Sequence, residues 1–211
     1  MINWSEDMTQ NEALKDLDYI KSVAQSGENA PLAGGRYGLF WGSLLFLTFL
    51  AHWFVGSGNA GIDPSFVGAV WMAYGVCAVI GSVVLEMSMK EKTNNAAAQK
   101  VERHIWSAFA FALLALFIVV LLNIFIGQGS ASMFDLVLPF AFAGYGMAYL
   151  TTAAFGNHGR LRLPGYGSII AAAIAMALYG RIELYLFAAV AIVFVIVLPA
   201  LQSLKLEREH A

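Results

Sequence analysis

The sequence predicts an all-α polytopic membrane protein, with six transmembrane helices and an amphipathic cytoplasmic helix near the N-terminus. Three observations predict it. Hydrophobic residues make up 59% of the chain and charged residues only 12%, about half the charge of a soluble domain, with a mean hydropathy of +0.68. Apolar stretches of about 20 residues recur, the length a helix needs to cross a bilayer. Lysine and arginine fall almost wholly on one side of the topology those stretches imply. A soluble globule of this composition would expose large apolar patches. The net charge of −2 offers no basic field for nucleic acid. The single cysteine, Cys77, permits neither an intrachain disulfide nor a cysteine zinc cluster.

The chain divides into an arm (residues 1–36), a helical bundle (37–201) and a short tail (202–211). In the arm, Thr9-Gln10-Asn11-Glu12 reads as a capping box, with the helix running to about Ser26. Ala13, Leu17, Ile20 and Ala24 share one face of it, flanked by Leu14 and Val23, while Glu12, Lys15, Asp16 and Asp18 lie opposite. The polar face carries more carboxylates than lysines, which makes an anionic lipid surface a poor host. Protein is the expected contact, with Leu14, Leu17 and Ile20 as anchors. That contact is the protein's own loops, another protein or a second protomer. With no basic n-region, residues 1–36 do not read as a cleaved signal peptide.

The six spans are 37–55, 64–87, 105–126, 134–155, 166–180 and 184–201, the fifth short, alanine-rich and with a start as early as Leu163. Gly34, Gly38 and Gly42 form a small-residue stripe leading into the first, suited to close helix packing within the chain or to a protomer seam. With the N-terminus inside, Lys15, Lys21, Arg36, Lys90, Lys92, Lys100, Arg103, Arg160, Arg162, Lys205 and Arg208 are cytoplasmic. Only Arg181 is outside. Short loops and small size suit a bacterial cytoplasmic membrane, with both termini inside. The odd spans open near arginines and close on Gly56, Gly127 and Gly180, and Tyr74-Gly75 and Tyr145-Gly146 sit mid-span in the second and fourth. Three tandem hairpins would produce this pattern.

Chemistry is sparse. The span centres contain no Asp, Glu, Lys, Arg or His, so a relay through a central carboxylate is not expected. His52, Asp63, Asp135 and Glu183 gather at the outer face and are conceivable metal ligands. Each acid also has a local role: Asp63-Pro64 as an N-cap with proline at N1, Ser132-x-x-Asp135 as a capping pattern, and Glu183 in a turn beside Arg181. His104 and His158 at the inner edge are read as interfacial residues rather than haem ligands, and Glu86 as an i,i+4 partner of Lys90. Cys77 is read as packing, since no histidine shares its depth. Trp71, Tyr74, Phe142, Tyr145 and Tyr149 could line an apolar cavity if the second and fourth spans are neighbours. The Tyr74 and Tyr145 hydroxyls are expected to find partners inside the bundle.

No nucleophile, metal or cofactor constellation emerges, so the expectation is a non-enzymatic binding, regulatory or scaffold protein acting through its arm, with membrane lipids around it. The alternative is a channel or carrier for a small neutral or apolar solute.

Overall fold

The computed structural model describes Lys15 and residues 34–58, 61–89, 97–127, 129–155 and 159–209; every regular element among them is helical. Helix α1 is Gly34–Gly56, α2 Val67–Met89, α3 Ala97–Phe125, α4 Val137–Phe155, α5 Arg162–Ala177, α6 Glu183–Ile192 and α7 Leu198–Glu209. Helices α6 and α7 are one continuous rod joined by a π turn over Val193–Val197. Five segments are long and apolar enough to cross a membrane: Gly35–Gly56, Pro64–Ser88, Val101–Phe125, Ala131–Ala154 and Glu183–Lys205. With 16 residues, α5 is about 24 Å long, short of a ~30 Å hydrocarbon core. Lys15 is helical and exposed. Leu14, Leu17 and Ile20 lie outside the described residues.

The helices pack in the series α2–α1–α6/α7–α5–α4–α3. The rod α6/α7 is central: 56% of its apolar stretch is buried in protein, against none for α2 and 6% for α3. The two flanking helices therefore turn rows of apolar side chains outward, among them Val76, Val79 and Val83 on α2 and Phe111, Ile118 and Leu122 on α3. Lipid accepts such faces without penalty. Cys77 lies on the exposed surface of α2, so its expected packing role is corrected: the helix that carries it has neighbours on one side only.

Small residues let the central helices approach closely. A Cβ on Gly38 would lie 3.0 Å from the Ala200 Cβ, and one on Gly42 2.9 Å from Val197 and 3.0 Å from Ile196. Gly38 and Gly42 of the stripe thus face the α6/α7 rod of the same chain. Helices α4 and α5 meet in the same manner, where a Cβ on Gly146 would come within 2.9 Å of the Gly165 carbonyl oxygen.

The π turn has a local cause. Pro199 has no N–H to give the Val195 carbonyl. The turn before it widens so that the Leu198 N–H donates to Val193, five residues back. Pro139 falls in the first turn of α4, where a missing N–H costs nothing, and does not break it.

Candidate functional site

The end of the bundle where α1 stops and α2 begins holds a hydrogen-bonded polar array that ties several helices together. His52 sits one turn before the end of α1, Trp71 one turn into α2, Asp135 just before α4 and Tyr185 in the first turn of α6. These four places share one end of the bundle, which α1 reaches at its C-terminus and from which α2, α4 and α6 set out.

Trp71 Nε1–H donates to His52 Nδ1 at 3.0 Å. Nδ1 is thus an acceptor, which puts the proton of the neutral imidazole on Nε2. The imidazole stacks on the Tyr185 ring, with centroids 3.4 Å apart and planes inclined by 20°, and Phe49 closes the group against both Trp71 and Tyr185. Beyond the ring, the Tyr185 hydroxyl donates to Asp135 Oδ1 at 2.6 Å. The Gly180 N–H donates to Oδ2 of the same carboxylate at 3.2 Å. Asp135 is 8% exposed and Tyr185 6%, so the acid is removed from solvent and its charge is met by two donors, as a buried carboxylate requires. Gly180 holds φ +77, a left-handed conformation in which a Cβ is strained. It aims the amide back at Asp135 from the turn between α5 and α6.

This overturns the capping role expected of Asp135. The helical turn Ala131–Leu136 follows Ser130 without a side-chain cap, and the two serines bond each other, Ser130 Oγ to Ser132 Oγ at 2.6 Å. Asp135 falls at the end of that turn, facing the α5–α6 loop, where better donors are in reach. The other outer acids stay local. Asp63 accepts from the Ser65 N–H at 2.9 Å as an N-cap, with Pro64 after it. This bond and that of the Ser65 hydroxyl hold its carboxyl below the usual range. Glu183 pairs with Arg181 at 3.4 Å, both well exposed. Among the described residues no three His, Cys, Asp or Glu converge on a point that could hold a metal ion.

The five aromatic residues read as cavity lining divide between two groups of packed rings and an isolated pair. Trp71 and Tyr74 meet edge to face at 5.5 Å, with Trp41 beyond. Tyr145 and Tyr149 pack with Trp106, and Tyr145 also with Phe109. Phe142, 2% exposed, lies on Phe187. Helices α2 and α4 are not among the pairs that pack extensively. The Tyr74 and Tyr145 hydroxyls, expected to be bonded, have no hydrogen-bond partner among the described residues. Their rings are held by aromatic faces, which offer no acceptor in the ring plane. Clefts occur elsewhere, one between α1 and α2 and a smaller one between α3 and α4.

Sequence reasoning misses Tyr185, the donor that makes Asp135 tenable, and Glu102, only 5% exposed in α3. The signal for Tyr185 was its depth, since it lies one turn in from the same end as Asp135. Glu102 precedes the third span expected at 105–126, whereas α3 begins at Ala97. His104 is exposed on α3, and His158 lies outside the described residues. The array joins α1, α2 and α6 to the turn before α4 and gives the buried Asp135 carboxyl two donors. Comparison of the chain with protein-family models, curated proteins and solved structures gives no match.

Proposed function

We propose that this chain is a six-span protein of the cytoplasmic membrane with both termini inside, and that it is a non-enzymatic binding or scaffold protein working through its cytoplasmic arm. The observation that carries this reading is the anchoring of α1. The arm leads directly into this helix, and Gly38 and Gly42 seat it against Ala200, Ile196 and Val197 of the central rod. Anything held by Leu14, Leu17 and Ile20 is covalently joined, through the chain that leads into α1, to a helix seated on the most buried part of the bundle. The packed ring groups and the small-residue seams favour a platform over a conduit. The sixth span is α5, whose length is made up by the turns at its two ends and whose backbone approaches α4 at Gly146 and Gly165.

Reporter fusions at Gly58 and Asn95 test the topology and should report opposite compartments. Gentle extraction of the tagged protein, followed by mass spectrometry, tests the arm. A co-purifying protein lost on Leu17→Asp or Ile20→Asp supports the reading. A monomer indifferent to both changes sinks it. The Asp135–Tyr185–His52 array gives a specific reason to keep the second reading, a carrier for a small neutral solute, because polar groups inside a bundle are what such a solute would meet. Solute uptake into vesicles that is lost with Tyr185→Phe would favour it.

A further inference from the structure

A cleft of about 530 Å³ opens on the bundle surface between α1, α2 and α7. Its walls are Leu39, Phe40, Leu44 and Leu47 of α1, Leu85 of α2 and Leu204 of α7, and Arg36 stands at one end. From Arg36 to Leu47 the wall runs along a single face of α1. At 1.5 Å per residue it is about 16 Å long, close to half of a ~30 Å hydrocarbon core and so to the depth of one leaflet.

Arg36 is exposed, and among the described residues no carboxylate lies within ion-pair distance of it. The nearest acid along the wall, Glu86, follows Leu85 by one residue. It is turned about 100° away on α2, and no ion pair joins it to Arg36 among the described residues. Arg36 is also at the end of the bundle that carries Arg103, Arg162 and Lys205. The cleft therefore combines an open, largely apolar groove of one-leaflet length with a guanidinium at its interfacial end. An arginine there matches a phosphate by geometry as well as charge.

We propose that this cleft is a binding site for one membrane phospholipid, with an acyl chain laid along Leu39, Phe40, Leu44 and Leu47 and the phosphate paired with Arg36. The site goes beyond the reading given above and does not depend on what the arm binds. A lipid held there bridges α1 to α2, the helix with the least protein around it, and supplies contacts that this edge of the bundle lacks.

The test is native mass spectrometry of the full chain in mild detergent, titrated with phosphatidylglycerol and, separately, with diacylglycerol of the same chains. The wild type should retain one phosphatidylglycerol. Arg36→Gln should weaken that binding about tenfold, the loss of one charge-assisted bond, and leave diacylglycerol unchanged. Arg36→Lys should recover part of it, and Leu47→Trp, which fills the groove, should weaken both lipids. Equal phosphatidylglycerol binding by wild type and Arg36→Gln overturns the proposal, as does a parallel loss of both lipids in Arg36→Gln. A photo-reactive residue at Leu85 identifies the occupant independently. A lipid adduct supports the site, whereas a cross-link to residues 1–33 or to a second copy overturns it.

Discussion

The Tyr185 hydroxyl and the Asp135 carboxylate, 50 positions apart in the chain, meet at 2.6 Å with both residues buried. Removing the donor leaves a buried charge with the Gly180 amide alone. Tyr185→Phe should therefore cost about 1.5–3 kcal/mol, read as a lowered thermal midpoint in detergent. Tyr145→Phe is the matched control. Its hydroxyl has no partner among the described residues, so the change should stay within about 0.5 kcal/mol. Equal losses in the two variants would refute the assignment.

Ser168 on α5 is fully buried, and its Oγ has no hydrogen-bond partner. An unsatisfied hydroxyl in the interior is a cost rather than a contact. Ser168→Ala should leave stability unchanged or raise it by up to about 1 kcal/mol. A clear destabilisation in the same melting assay would mean that the hydroxyl is satisfied in the membrane.

The glycine seam makes a directional prediction. A side chain at Gly42 meets Val197 and Ile196 at once, so Gly42→Val should cost on the order of 1–3 kcal/mol through overpacking. Gly75, in mid-α2, has open space where a Cβ would go. Gly75→Ala should be neutral or mildly stabilising, since alanine is the better helix residue. Parallel unfolding curves for the two variants decide the matter.

Asp63 supplies a pH dependence outside the spans. Its carboxyl is held below the usual range by the Ser65 amide and hydroxyl. A depressed folded value means that the cap's contribution is fully present above the ordinary carboxylate pKa. It is lost as pH falls through the folded one. Hydrogen exchange at the Ser65 amide should accelerate, relative to its neighbours, as the pH is lowered through that range. Asp63→Asn should flatten the response.

Much of the fold was legible because lipid enforces a simple rule, that every backbone group bonds within its own helix. Apolar length alone therefore located α1, α2 and α4, the end of α3 and the start of the last rod to within a few residues. The exceptions have physical causes. Helix α3 begins at Ala97, because Ala97, Ala98, Gln99, Lys100, Glu102 and Arg103 are good helix formers that carry the helix beyond the apolar stretch. Helix α5 runs Arg162–Ala177, within one residue of the early Leu163 start because Pro164 suits a first turn, and it ends before 180, ahead of the left-handed Gly180. The site was less legible. His52 and Asp135 were visible as residues of one face, but what joins them is Tyr185, and a stacked ring between two polar groups has no signature in spacing. Asp135 obeyed a capping pattern and still bonded elsewhere, since local patterns compete with tertiary donors.

The π turn at Val193–Val197 sets the phase of the whole rod. Leu184, Ala188, Ile192, Ile196 and Ala200 are all buried, at a constant interval of four residues. In a straight α-helix each such step rotates the side chain by about 40°, so the fifth would have swung well away from the first. One widened turn, holding roughly one extra residue, takes back part of that rotation and keeps Ala200 opposite Gly38. The rod is thus built from two helices out of step with each other. Losing a single residue between Val193 and Val197 would restore one regular winding, and the C-terminal portion would then present a different side to α1 while its composition stayed almost the same.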